Sequence, residues 1–484
     1  MSFNPFDSQT LLIILPEILL IVLAALVMGL DLLWPESRKR ALGLISAGGF
    51  GVVIIVALVF ARPPADNPLV FGGMIRADGV AFFFRLMFLF SGLIVSLLSV
   101  ESPGVARKGE YYAIIIGSVI GMNFMASAAD LIMLYLSIET TSIALYLLAG
   151  FLREDDKSAE SGLKYFLFGA FTSTIMLYGF SLLFGFTGKT NLYEISAVLL
   201  SGQVPVLPVL VILLLVLAGF GFKVSMVPFH FWSPDVYEGA PTPITALISV
   251  ASKAAGFAVL VRVLLAVFPD VQSYWGPLIA VISVFTMTLG NTLALAQRNI
   301  KRLLAYSSIA QAGYALIGLA ALSPAGISAT IFYLLMYTVT NLVTFGVIIL
   351  ASRVIGSDEI ADYAGLSRRS PGLALAFLIG FLSLGGMPPL AGFFAKFFIF
   401  ASAIESGMVW LAVIGVLNSI IGLYYYLTVL KVVYLYRSEH DNEPIAVPRA
   451  YAFALWVCAG GVILIGTVAG PWLTWVTSAA RGLF

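Results

Sequence analysis

Fourteen apolar stretches, each near the 20 residues that a helix needs to cross a bilayer, leave this chain few ways to fold. A hydrocarbon core offers no water to a backbone N–H or C=O. A crossing segment must therefore satisfy those groups internally, as a helix does. The stretches begin near Leu11, Ala41, Ala77, Tyr111, Leu131, Ser161, Leu207, Pro241, Gly276, Leu303, Ile327, Pro371, Met408 and Tyr451. With 60% hydrophobic and only 11% charged residues, the chain fits no soluble globular class. The expectation is an all-α polytopic membrane protein with about 14 transmembrane helices. The first stretch contains Glu17 and is long enough to span, so it reads as a membrane helix rather than a cleavable signal peptide.

Charge and cysteine usage exclude several functions. The 26 basic residues nearly balance the 25 acidic ones, which argues against a nucleic-acid partner. A single cysteine, Cys458, can make neither an internal disulfide nor a thiolate metal site, and it reads as a plain buried residue. Two histidines, His230 and His440, are too few for haem pairs, and no glycine-rich phosphate loop follows a strand. No cofactor and no metal are expected on this chain.

Loop charges set an orientation. Connections after odd-numbered spans hold 17 lysines and arginines, among them Arg38, Lys39, Arg40, Arg107, Lys108, Lys164, Lys301 and Arg302. Connections after even-numbered spans, with the C-terminus, hold five: Arg62, Arg76, Lys189, Arg262 and Arg481. The odd connections are expected on the cytoplasmic side and both termini on the other.

Two stretches are too long for one straight span, and both carry breaks. One, from about Leu207 to Val236, contains Lys223, Met226, Pro228 and His230; the other, from about Pro371 to Glu405, contains Gly385, Gly386, Met387, Pro388, Pro389 and Lys396. Paired broken helices in the two halves of a transporter point to an ion site at the membrane midplane. They are spans seven and twelve. An odd offset reverses direction through the membrane, so spans four to eight and nine to thirteen would form two inverted five-helix repeats. The expected units are 1–110 (three N-terminal helices), 111–269 (first repeat), 270–440 (second repeat) and 441–484 (span fourteen).

Four charged residues lie deep within these spans: Glu139, Lys223, Lys253 and Lys396. Each such group costs about 2.5–3.5 kcal/mol to insert at a helix centre. Such groups mark an ion or proton pathway by default. Tyr135, Glu139, Ser142 and Tyr146 fall on one helical face, which should look toward protein or water. Glu139 is either locked in an interhelical hydrogen bond or exchanges protons with a lysine. Lys223, beside a proline break, either forms a fixed salt bridge with Glu139 or loads and releases a proton as burial and the carboxylate oppose each other. Lys253 sits in a stripe with Thr245, Ser249, Ser252 and Gly256. Lys396 is the candidate last station before the non-cytoplasmic side. Span eleven offers Tyr333, Tyr337, Thr340, Asn341 and Thr344, and span ten Ser307, Gln311 and Tyr314, as neutral groups between the two lysines or as ordinary helix–helix contacts. His230 is a link in the pathway or a hydrogen-bonded structural group. Lys164 is an interfacial anchor or a proton-entry group. Glu17 should contact a partner helix, and Arg85 should pair with Asp78 or reach the surface.

The run Phe222-Lys223-Val224-Ser225-Met226-Val227-Pro228-Phe229-His230-Phe231-Trp232-Ser233-Pro234-Asp235-Val236-Tyr237-Glu238-Gly239-Ala240-Pro241-Thr242-Pro243 resembles the central signature of the antiporter-like, proton-translocating membrane subunits of respiratory complex I. Ser252-Lys253, Asn299 to Ser308 and Gly386-Met387-Pro388-Pro389-Leu390-Ala391-Gly392-Phe393-Phe394-Ala395-Lys396 extend the match, which covers the chain from about Leu11 to Trp475. Leu15-Pro16-Glu17 and Lys396 look unlike the siblings L and M, and the stop after span fourteen at Phe484 is expected to set it apart from L. The resemblance implies fourteen helices with helices seven and twelve broken. It assigns Glu139 and Lys223 as a coupled pair, Lys253 as connecting residue, Lys396 as exit-side residue, and a linking position to His230. FMN, iron–sulfur clusters and quinone would belong to other subunits. The implied partners are other membrane-arm subunits, with M and K as neighbours and the lateral helix of L, together with the lipid bilayer and protons. The location would be a bacterial cytoplasmic membrane with both termini periplasmic, or the mitochondrial inner membrane for an organelle-encoded chain. The intramembrane residues alone also fit a free-standing or multisubunit Na⁺(K⁺)/H⁺ antiporter, or a subunit of a related hydrogenase-type complex. A cation site would, however, use midplane carboxylates where this chain has lysines.

Overall fold

Apolar runs of this length form helices. The computed structural model, which describes residues 8–64 and 68–483, consists of helices, short loops and one antiparallel hairpin, β1 (Leu69–Val70) with β2 (Ile75–Arg76). Among the described residues, twelve helices are long and apolar enough to cross a membrane. Gly109–Ser127 and the broken pair Pro371–Gly385 and Ala391–Glu405 occupy the two remaining positions, giving the fourteen spans expected. The tight connection after span four is real: Gly109–Ser127 ends, and Asp130 caps span five, Leu131–Ala149, by accepting from Ile132 N at 2.8 Å. Two further helices, Leu192–Leu200 and Ala469–Ala480, are too short to span.

The two repeats share local construction. Asp130 caps span five and Asn299 caps span ten, Ile300–Ala320. Each cap also makes an isolated bridge to a residue beyond the next helix, Asp130 to Asn191 and Asn299 to Glu359. Those next helices, span six (Asp156–Thr187) and span eleven (Pro324–Ile355), are both 32 residues long and end on left-handed glycines, Gly188 and Gly356. In span seven, Val206–Val224 ends on left-handed Ser225 and resumes at Trp232–Gly239; in span twelve, Pro371–Gly385 ends on left-handed Gly386 and resumes at Ala391. Both breaks close with the same bond: Met226 N to Gly221 O and Met387 N to Leu382 O, each 2.9 Å. Both are followed by a cis proline bond, Val227-Pro228 and Pro388-Pro389.

Burial divides the spans. In their most apolar 18-residue stretches, 94% of the residues of spans ten and eleven and 89% of those of span eight, Thr242–Val267, are buried, against 28% in span one, Leu15–Leu33. The enclosed helices are those that carry the most internal polar residues. They form the interior that the outer spans shield from lipid.

Two ion pairs within the bundle correct the sequence expectations. Arg85 does not pair with Asp78. Its Nε lies 3.0 Å from Glu17, which also accepts from Asn123 Nδ2 at 3.0 Å, so spans one, three (Gly79–Ser99) and four meet at a buried polar contact. Arg262, counted above as a loop residue, is only 2% exposed. It grips Asp78 through both terminal nitrogens at 2.8 and 2.9 Å and donates to Ala126 O. Arg262 therefore belongs to the interior of span eight, and the loop-charge bias becomes larger without it.

Candidate functional site

Broken helices free backbone carbonyls, and two buried lysines, Lys223 and Lys396, lie beside the breaks. Lys223 is in the last turn before the first break. Its ammonium donates to Ser142 Oγ on span five and lies 5.8 Å from the Tyr146 ring. Glu139, one turn earlier on span five, accepts from Ser173 on span six. No direct Glu139–Lys223 ion pair exists among the described residues. Ser142, Ser173 and Lys223 line one small cavity of about 10 Å³, near the room of a single water. The expected shared face of span five is divided: Ser142 and Tyr146 are buried, while Tyr135 and Glu139 are half-buried toward the outside of the chain.

Lys253 follows a π-helical turn, Ile248–Ser252, inside span eight. A π turn rotates the residues beyond it relative to a regular helix, and such turns concentrate at functional positions. The Lys253 ammonium donates to Ser308 O at 2.8 Å and Ser308 Oγ at 2.5 Å on span ten. The Tyr237 hydroxyl lies 3.0 Å from the same Ser308 oxygen. No carboxylate pairs with Lys253 among the described residues.

From Ser308 the polar contacts continue to the second break. Ser307 hydrogen-bonds Tyr426 on span thirteen, Val409–Leu435. Gln311 donates to Tyr426 at 3.2 Å and to Leu384 O at 3.4 Å, and accepts from Tyr333. Beside Leu384, the Gly385 carbonyl accepts from Lys396 at 3.2 Å. The Lys396 ammonium also lies 5.0 Å over the Tyr314 ring, and the Tyr314 hydroxyl is held by Asn291 Nδ2 at 2.9 Å. Lys253 and Lys396 thus flank a run of polar groups on spans eight, ten, eleven, twelve and thirteen, in three separate hydrogen-bonded sets that adjoin at Ser307-Ser308 and Leu384-Gly385.

Lys223 is not hydrogen-bonded to that run. Helices seven and eight touch between the two clusters, where Gly256 packs on Lys223: a Cβ at Gly256 would lie 3.0 Å from Lys223 Cβ. Near this junction several buried polar atoms have no protein partner: Ser225 Oγ, His230 Nδ1, Ser233 Oγ and Tyr337 OH. Buried polar atoms of this kind are ordinarily met by ordered water. His230 is therefore not anchored through Nδ1. Of the span-eleven stripe, Tyr333 joins the run and Thr340 meets Ser383 at 3.1 Å, but Asn341 and Thr344 bond back to their own helix.

Lys164 sits in a cluster of ion pairs. It contacts Asp235 Oδ2 at 2.5 Å and Glu160 at 2.7 Å. Asp235 also accepts from Arg302 at 2.8 Å, Arg302 reaches Glu238 at 2.9 Å, and Lys157 closes on Glu238 at 2.9 Å. Three spans are tied together there, beside Tyr237. Ser173, Tyr426 and the π turn carry no local signal that marks them; only neighbouring helices bring them into contact with the lysine clusters.

The family described as NADH:quinone oxidoreductase/Mrp antiporter, TM, matches residues 128–422. NADH-quinone oxidoreductase subunit N 2 of Chloroherpeton thalassium is 45% identical over 445 residues, 88% of this chain and 86% of that protein. NADH-quinone oxidoreductase subunit N of Moorella thermoacetica is 42% identical over 472 residues, 97% of this chain and 98% of that protein. A chain of respiratory complex I from Thermus thermophilus with bound aureothin superimposes with a TM-score of 0.80 at 32% identity, covering 96% of this chain and 100% of that one. The long helix-break signatures, the paired repeats and these relatives agree: the chain belongs to the NADH:quinone oxidoreductase/Mrp antiporter membrane family and, within it, to the NADH-quinone oxidoreductase subunit N group.

Proposed function

We propose that this chain is a proton-translocating membrane-arm subunit of an NADH:quinone oxidoreductase, moving protons along Lys223, Lys253 and Lys396 with Glu139 as the switching charge. One observation carries the reading: buried lysines without carboxylate partners, two of which have hydroxyl, amide and carbonyl groups lined up between them in separate hydrogen-bonded sets. A buried ammonium repels metal cations, and a lysine that can lose its charge passes a proton instead. The unpartnered atoms at Ser225, His230, Ser233 and Tyr337 suit water between Lys223 and Lys253. The ion pairs of Lys164, Asp235, Arg302 and Glu238 mark the entry end, next to Tyr237 and so to Ser308 and Lys253.

In this reading FMN, iron–sulfur clusters and quinone belong to other subunits, and their chemistry drives the protons here. The neighbours are subunits M and K, with the lateral helix of L alongside. The basic connections face the cytoplasm and both termini the periplasm. The deciding measurement is proton uptake by vesicles reconstituted with the assembled complex during NADH oxidation. Lys253→Ala is expected to lower protons moved per NADH while NADH:quinone turnover persists in uncoupled vesicles. Unchanged stoichiometry would overturn the assignment, and Na⁺ uptake in place of proton transport would favour the antiporter reading.

A further inference from the structure

The ends of five helices enclose a cavity of about 460 Å³ on the face that carries the basic connections. Its walls come from the loop between spans one and two, the loop between spans three and four, and the end of span eleven. Four cations line it, Arg40, Arg107, Lys108 and Arg353, against two carboxylates, Glu36 and Glu101. Both carboxylates are engaged. Glu101 accepts from Arg40, and from Arg353 at 2.9 Å. Glu36 is held by Lys39 at 2.8 Å. Arg107 and Lys108 have no carboxylate partner among the described residues. Ser102 lines the same cavity; it is 7% exposed and its hydroxyl has no hydrogen-bond partner.

We infer that this cavity binds the phosphate of an acidic phospholipid headgroup. Three features select that ligand. The free cations supply charge for a phosphodiester, and Ser102, whose buried hydroxyl has no partner, stands in the wall between them. The cavity lies at the end of a membrane-spanning helix: span one finishes on Leu32 and Leu33, which are 82% and 81% exposed, three residues before Glu36 in the cavity wall. Basic pockets between helix ends at a membrane surface attract anionic lipid in this way. A bound headgroup would join the three N-terminal spans to span four and to span eleven, which lines the polar run of the second repeat. The site is separate from the lysine pathway and does not depend on its assignment.

The test uses the assembled complex in phosphatidylcholine nanodiscs, labelled with a photoactivatable phosphatidylglycerol and mapped by peptide mass spectrometry. Labelling is expected within 101–108, competed by unlabelled phosphatidylglycerol and not by phosphatidylcholine. The double variant R107Q/K108Q removes two charges and is expected to weaken apparent affinity about thirtyfold. Ser102→Ala, a milder change, is expected to weaken it less. Labelling elsewhere on the same complex serves as the control for assembly and should stay constant. Equal labelling by a phosphatidylcholine probe, or labelling that both variants leave unchanged, would overturn the proposal. So would competition by inorganic phosphate with none by the lipid, or a crosslink from this segment to a protein neighbour in place of lipid.

Discussion

Lys223 and Glu139 do not touch: each spends its charge on a serine, Lys223 on Ser142 and Glu139 on Ser173, and the two serines line one small cavity. No salt bridge locks the pair, and Ser142 donates to its own helix at Ile138 O rather than to Ser173. A locked pair would hold the lysine permanently charged.

Lys223→Ala is expected to remove most proton pumping while the complex still assembles, since the side chain makes one hydrogen bond and no ion pair. Glu139→Gln should weaken pumping less. In the double variant the losses should not add, because the residues act through a shared site. Proton uptake by reconstituted vesicles measures all three.

Ser308→Ala deletes one of the two acceptors of Lys253 and the partner of Tyr237, leaving the Ser308 carbonyl. A hydrogen bond to a charged group contributes about 1.5–3 kcal/mol. Pumping should fall partially, and by less than in Lys253→Ala, in the same vesicle assay.

Lys396 rests on a free carbonyl and a tyrosine ring, neither of which demands an ammonium. Lys396→Arg keeps the charge in place but cannot release a proton. Proton uptake should therefore fall in Lys396→Arg as well as in Lys396→Ala. Full pumping with arginine would mean that only the charge matters there.

Arg262→Ala leaves Asp78 buried with one of its two basic partners gone and frees the Ala126 carbonyl. Breaking a buried pair costs about 3–5 kcal/mol. The amount of assembled complex on native gels should drop sharply, while any complex that does assemble should pump normally.

Gly256→Val places a branched side chain against Lys223 and Val224. Overpacking of this kind costs about 1–3 kcal/mol. Thermal stability of the purified complex should fall, and pumping should fall with it because spans seven and eight separate where the two polar clusters meet.

The fourteen spans, the two breaks and the four deep charges were legible in the linear sequence because they rest on local physics. Apolar length sets a crossing, proline and glycine interrupt a helix, and a charge amid apolar residues is conspicuous wherever it lies. Pairings were not legible. Arg85 found Glu17 rather than Asp78, Asp78 took Arg262, and Lys223 met Ser142 in place of Glu139. Each choice depends on how one helix is rotated and set in depth against another, and a periodic apolar pattern leaves both nearly free. Only tertiary packing decided which hydroxyl or carboxylate faced each cation, because a buried charge settles on whatever donor or acceptor the neighbouring helix brings within about 3 Å.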